Sequence, residues 1–176
     1  MKKYFFLLLF FLFLNPATAQ ILIIKDGDTI KIDGETIRFS GIDTPETNYL
    51  RKYKQVCYLN DKKFYCGEFS KEKLIEKIGN NYVSCVREQE KDQYGRTIAE
   101  CFVNGDSLSR YMVRNGYAFD FAKYSKKKFA EDQEYAKNNS LGLWNMDFHY
   151  PWDWRYKVRN LKKTKYPWKE FYIEKI

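Results

Sequence analysis

Four carboxylates and two arginines stand out by type and spacing. Asp26 and Asp28 fall in the stretch KDGDT, and Asp43 and Glu46 fall in SGIDTPET. Pro45 has no backbone N–H and disfavours a helical Thr44, so the second stretch reads as a strand end turning into a loop. Acids so placed are either solvated decoration or convergent on a cation. Three or four carboxylates gathered in one place raise one another's pKa. A hard divalent cation with oxygen ligands, Ca²⁺ or Mg²⁺, resolves that conflict. Arg38 leads into the second acidic stretch, and Arg96 follows the turn-like DQYG at 92–95. Each alone is an ordinary surface arginine. Two guanidiniums beside a bound cation would supply what phosphoryl chemistry needs, because their forks match phosphate oxygens and the charge that develops on them. Metal, acid and two arginines together make a constellation for phosphodiester cleavage.

The remaining chemistry-bearing residues narrow the choice. His149 is the only histidine and sits among the bulky aromatics of FHYPW, where it reads as a packing residue. Hydrolases that use a Ser or Cys nucleophile with a His base are therefore disfavoured. The four cysteines (Cys57, Cys66, Cys85 and Cys101) contain no CxxC spacing, which argues against a structural zinc site. Three disulfide pairings are open. Cys85 and Cys101 are equidistant from position 93 in KDQYG, so strands folding back about that turn would bring them face to face. Cys57 and Cys66 would then pair around a short polar loop.

These residues need elements to position them. Ile21 to Ile24 is a short apolar run before the Asp-Gly turn signal of KDGDT. Thr29 to Ile32 alternates, Asp33-Gly34 marks a second turn, and Thr36 to Ser40 continues as a third strand. In such a meander the first turn and the end of the third strand can share one end of the sheet. Residues 47–66 read as a polar insertion. A helix is predicted from Glu68 to Ile78, ended by Gly79. Tyr82 to Glu88 and Arg96 to Val103 read as a hairpin. Asp106 is the expected cap of a helix carrying Leu108, Tyr111 and Met112, and Ser125 to Asn138 is the expected last helix. The pattern predicts an α+β domain: a five-stranded OB-type β-barrel with about three packed helices.

The N-terminus reads MKKYFFLLLFFLFLNPATA, with two lysines, a ten-residue apolar run and small residues at Ala17 and Ala19. That is the layout of a secretory signal over residues 1–19; a spanning helix needs about 20 apolar residues. Export to a periplasm or the exterior makes disulfides expected. After signal removal no stable membrane insertion is expected. Charge is uneven along the rest. Residues 20–154 carry 21 basic and 21 acidic side chains, whereas 155–176 carry eight basic and two acidic ones. The expected organisation is a signal at 1–19, a domain at 20–150 and a basic, aromatic tail at 151–176. Such a tail suits a polyanion such as nucleic acid, or is simply solvated.

Three spaced motifs resemble the staphylococcal nuclease (thermonuclease) family in order and spacing: DGDT at 26–29, RFSGIDTPE from Arg38 to Glu46, and DQYGR from Asp92 to Arg96. The GYA step at 116–118, Tyr124 and GLW at 142–144 agree. The resemblance covers roughly residues 21–144. The cysteine pairs and FHYPWDWR are similar to the family's exported bacterial branch. The resemblance implies an OB-type nuclease that cleaves DNA and RNA with Ca²⁺ and leaves 5′-hydroxyl and 3′-phosphate ends. It implies that Asp28 and Asp43 ligate the ion with the carbonyl of Thr44, and that Asp26 lies close behind. Glu46 would position or deprotonate water, and Arg38 and Arg96 would hold the scissile phosphate. Tyr94 and Tyr124 would contact a terminal phosphate or stack on a base, although FDFAKYS around Tyr124 departs from the family's pattern. No protein partner is implied, and a monomer is expected. The competing reading is a non-catalytic OB-fold module that binds single strands, but such a module has no use for carboxylates beside phosphate.

Overall fold

The computed structural model describes residues 19–160 and the backbone of 173–175. Residues 1–18 of the expected signal, and residues 161–172 and 176 of the expected tail, lie outside the described residues.

Strands β1 (Leu22–Asp26), β2 (Thr29–Ile32) and β3 (Glu35–Phe39) form the predicted antiparallel meander, with Leu22 opposite Ile32 and Ile30 opposite Ile37. Alternation turns Ile30, Ile37 and Phe39 into the core. The β2–β3 turn holds Asp33 and Gly34 at φ of 48° and 94°. Positive φ at both central residues matches the twist of the flanking strands. After β3 comes the two-residue β4 (Ile42–Asp43).

Residues 47–66, the expected polar insertion, have secondary structure of their own. They contain a hairpin of β5 (Tyr53–Leu59) and β6 (Lys62–Tyr65), turned by Asn60 and Asp61 at φ of 49° and 61°. Helix α1 (Cys66–Ile78) begins two residues before the predicted Glu68, at the cysteine that bonds Cys57. Leu74 and Ile78 are its fully buried apolar residues.

Strands β7 (Ser84–Lys91) and β8 (Thr97–Val103) pair with Cys85 opposite Cys101, and the second disulfide joins them. β8 also runs parallel to β3, giving the order β1-β2-β3-β8-β7, with β9 (Asp106–Ser107) on β8. The fold is the predicted α+β, OB-type arrangement of five main strands. Among the described residues no pairing joins β7 back to β1, so hydrogen bonds do not close a barrel.

Helix α2 (Leu108–Arg114) is capped by Ser107, whose Oγ accepts the Arg110 N–H at 3.2 Å. The expected cap, Asp106, pairs with Lys77 instead. β10 (Phe119–Asp120) pairs with β4. The expected last helix, Ser125 to Asn138, starts only at Ala130 as α4 (Ala130–Asn138), because Lys126 and Lys127 adopt φ of 54° and 67°; a separate one-turn helix, α3 (Ala122–Ser125), precedes that break. A 3₁₀ turn (Gly142–Asn145) leads to α5 (Pro151–Asn160), and β11 (Ile173–Lys175) pairs with β5. The described residues thus hold five α-helices where about three were predicted, the additions being the one-turn α3 and the C-terminal α5.

The main core sets Ile30, Ile37, Phe39 and Ile42 against Leu74, Ile78, Leu108, Met112 and Phe129. Each such side chain contributes about 1.5–3 kcal/mol on burial. A second cluster gathers Phe119 and Leu143 with Phe148, Tyr150 and Trp152 around the Cys57–Cys66 bridge. A third centres on Trp154, fully buried with Tyr53 and Val158, and seats α5 on the body.

Candidate active site

The β1–β2 turn, the end of β3 and the loop after β4 meet at one end of the sheet. Asp28 is buried there. Its Oδ2 accepts the Thr44 N–H at 2.9 Å and the Thr44 hydroxyl at 2.8 Å, and its Oδ1 accepts the Thr29 hydroxyl at 2.9 Å. Arg38 bridges the two acidic loops. One amino group pairs with Asp28, and Nη2 donates to Asp43 Oδ1 at 2.7 Å and to the Ile42 carbonyl at 3.1 Å. Asp43 is completely buried.

The electrostatics follow from that crowding. Burial pushes the Asp28 carboxyl up, but the Arg38 charge and the hydroxyl donors outweigh it and hold the group below its ordinary value. Glu46 is raised by burial, against the opposing pull of Arg155. Asp26 is raised well above the usual carboxylate range, first by burial and then by repulsion from Asp28 and Glu46. Arg38 is held firmly protonated, because Asp28 and Asp43 more than offset its loss of solvent.

Asp26, Asp28, Asp43 and Glu46 face two guanidiniums, Arg38 and Arg155, so the acids outnumber the arginines, and a bound cation would favour the ionised form of the raised Asp26 and Glu46. Such an all-oxygen, negatively charged donor set fits a hard divalent cation. Among the described residues no three acidic, histidine or cysteine side chains converge as a ready-made cage. The guanidiniums stand between the carboxylates instead: Arg38 between Asp28 and Asp43, and Arg155 between Asp43 and Glu46.

Helix α1 is the shelf beneath these loops. A Cβ on Gly67 would lie 2.4 Å from the Glu46 carbonyl carbon, so only glycine lets the helix start so close to that loop. A Cβ on Gly27 would lie 2.9 Å from Ser70 Cβ, which places the β1–β2 turn on the same helix face.

The structure thus brings Asp28, Arg38, Asp43, Thr44 and Glu46 together, with Asp26 close enough to feel Asp28 and Glu46. Arg96 lies outside this hydrogen-bonded group. Its Nε pairs with Asp92 Oδ2 at 2.6 Å, and its guanidinium lies 5.4 Å from the Tyr94 ring centre. Asp92 Oδ1 shapes the turn by accepting the N–H groups of Tyr94 and Arg96, both at 2.9 Å. Tyr94 and Tyr124 are exposed, and the Tyr124 ring packs edge-on against Phe121 at 4.9 Å.

Sequence reasoning missed two contributors. Gln55 was read as part of a polar insertion, yet it is fully buried beside Glu46. Arg155 was read as one charge of a basic tail. It donates to Asp43 Oδ2 and Glu46 Oε1, both at 2.6 Å, and to Asp43 Oδ1 at 3.2 Å. The available signal for Arg155 was its place in FHYPWDWR.

Residues 36–146, more than half of the chain, match the family model described as staphylococcal nuclease homologue. The chain is 31% identical over 133 residues to the succinoglycan biosynthesis protein ExoI of Rhizobium meliloti, a match covering 74% of this chain and 65% of that protein. It is 31% identical over 152 residues to the probable staphylococcal-like nuclease CAN3 of Oryza sativa subsp. japonica, covering 85% and 36%. It is 28% identical over 130 residues to the SPbeta prophage-derived endonuclease YokF of Bacillus subtilis, covering 68% and 41%. The chain therefore spans between about a third and two thirds of the length of these relatives. On the family match and the motifs gathered at the end of its sheet, the chain belongs to the staphylococcal nuclease family.

Proposed function

We propose that this protein is an exported, monomeric, Ca²⁺-dependent nuclease that hydrolyses phosphodiester bonds of DNA and RNA with little sequence preference. The reading is supported above all by one observation: Arg38 ties Asp28 to Asp43, and Arg155 ties Asp43 to Glu46 in the same cluster. The two disulfides, Cys57–Cys66 and Cys85–Cys101, suit an oxidising compartment such as a periplasm or the exterior. No helix among the described residues is long and apolar enough to cross a membrane.

Asp28, Asp43 and the Thr44 carbonyl would hold Ca²⁺, with Asp26 behind them. When bound, the ion supplies Lewis-acid stabilisation of charge on the phosphate. Glu46 orients the attacking water and takes its proton. Its raised carboxyl suits that task better than an ordinary one, because a base works best near the operating pH. The bond to O5′ then breaks and that oxygen is protonated, which leaves a 5′-hydroxyl and a 3′-phosphate. Arg38 has five N–H donors, more than Asp28, Asp43 and the Ile42 carbonyl take among the described residues, and the remainder would serve the phosphate. Arg96 would approach from the β7–β8 turn. Phosphate contacts and stacking on Tyr94 and Tyr124 serve any sequence equally.

The test is incubation of the mature protein with plasmid DNA and with single-stranded RNA, in Ca²⁺ and then in EDTA. Cleavage in Ca²⁺ alone is expected, with product 5′ ends that a polynucleotide kinase labels without prior phosphatase. Intact substrate in Ca²⁺, or equal cleavage in EDTA, would refute the proposal.

A further inference from the structure

The match to the family ends at residue 146, yet the site does not. Resting on the nuclease reading, we infer that Arg155 is a positioning residue that sets the Glu46 carboxylate for its work on water, so that helix α5 completes the active site.

The fork of Arg155 spans the carboxylates of Asp43, at the end of β4, and of Glu46, in the loop after it. Nη2 reaches Asp43 Oδ2 at 2.6 Å, and Nη1 reaches Glu46 Oε1 at 2.6 Å and Asp43 Oδ1 at 3.2 Å. A planar guanidinium offers two amino groups in a fixed fork and so holds both carboxylates at once, which a single ammonium does less rigidly. It engages Oε1 of Glu46 and leaves Oε2 for the water. It also separates two carboxylates that would otherwise repel.

Arg155 is placed by a rigid element. The neighbouring Trp154 is fully buried, and its ring meets Tyr49 edge-on at 5.8 Å. Pro151 and Val158 on the same helix are buried too. A further tie precedes the helix: Gln55 Nε2 donates to the His149 carbonyl at 2.7 Å, while Gln55 Oε1 accepts the Glu46 N–H at 3.2 Å. The Glu46 loop and the start of α5 are therefore registered against one buried side chain. Groups held in this way on packed elements keep the narrow geometry that catalysis needs.

The test compares the full mature chain with Arg155→Met and Arg155→Lys. Single-stranded DNA cleavage in Ca²⁺ gives kcat and KM; calorimetric titration gives Ca²⁺ affinity without nucleic acid. Arg155→Met is expected to lose about tenfold or more in kcat with little change in KM, the mark of an interaction that matters in the transition state. It is expected to bind Ca²⁺ several-fold tighter, because a competing cation has left Asp43. Arg155→Lys should regain part of the kcat. A purely structural role for Arg155 would instead weaken Ca²⁺ binding and lower the melting temperature together with kcat, and that result overturns the inference. So does an Arg155→Met variant with wild-type kcat while the wild type cleaves. A wild type that does not cleave at all overturns the nuclease reading itself, and this inference with it.

Discussion

Gln55 grips Glu46 on both sides of its backbone. The Gln55 N–H donates to the Glu46 carbonyl at 3.1 Å, and the Gln55 side-chain oxygen accepts the Glu46 N–H at 3.2 Å. The residue that would handle the attacking water is thus held by main-chain and side-chain bonds from the first strand of a hairpin that lies beyond it in sequence.

Gln55→Leu keeps the volume and removes the grip. The Glu46 N–H and the His149 carbonyl then each lose this hydrogen bond in a partly buried place, at a cost of about 1 kcal/mol each. A lower urea midpoint is expected, together with a fall in kcat larger than any change in KM. Wild-type kcat in a destabilised variant would show that Glu46 does not need this support.

Gly67→Ala separates propensity from fit. In an open helix the change would gain about 1 kcal/mol. Here the new methyl would sit 2.5 Å from both the Glu46 oxygen and the Thr47 nitrogen, which are backbone atoms and cannot swing aside. Net destabilisation of about 1–3 kcal/mol is expected, with reduced turnover. A stabilised, fully active variant would show that the loop shifts freely.

The sequence disclosed what depends on neighbours and periodicity, and hid what depends on distant partners. The meander was legible because Ile30, Ile32 and Ile37 alternate and Asp33-Gly34 is a strong turn signal. The Cys85–Cys101 pairing was legible because a hairpin's symmetry fixes its register. The β5–β6 hairpin was not. Its turn uses Asn60-Asp61 without a glycine, and its strand buries Gln55, a polar residue that any periodicity scan places outside. The break before α4 was hidden because nothing marks two lysines as left-handed. Arg155 was hidden because its partners lie more than a hundred residues away, and a lone arginine in a basic run looks solvated.

The two disulfides are expected to differ in what they protect. Cys57–Cys66 joins β5 to the first residue of α1, directly before the glycine that abuts Glu46. Cys85–Cys101 joins strands of the β7–β8 hairpin. Replacing either pair with alanines should cost about 2–4 kcal/mol. Only the Cys57/Cys66 replacement should also lower kcat at a temperature where both variants remain folded. Equal loss of kcat in both would remove the link between the first bridge and the site.

Tyr124 is expected to act on binding rather than on chemistry. Its exposed ring leans on Phe121, which stacks on Trp152 at 5.1 Å and an interplanar angle of 7°. A base stacked there would meet a rigid aromatic platform. Base–aromatic stacking contributes roughly 1–3 kcal/mol, so Tyr124→Ala should raise KM for single-stranded DNA about fivefold or more and spare kcat. An unchanged KM would exclude the ring from the substrate path.

Glu46→Gln and Arg96→Ala probe the chemistry itself. Glutamine keeps the shape and most hydrogen bonds of Glu46 but cannot take a proton from water, and a lost general base costs on the order of 10²–10⁴ in rate. Arg96 has no partner in the Asp28–Arg38–Asp43 network and is held by Asp92, so its removal leaves that network intact. Losing a donor to developing charge costs on the order of 10²–10³. Both variants should melt close to the wild type, because neither residue belongs to the hydrophobic core. If Arg96 is instead a half-buried partner of Asp92 and nothing more, Arg96→Ala will cleave at the wild-type rate. If Glu46 only braces Arg155, glutamine will suffice there. Wild-type turnover in both variants would leave the carboxylate–arginine cluster without a part in catalysis.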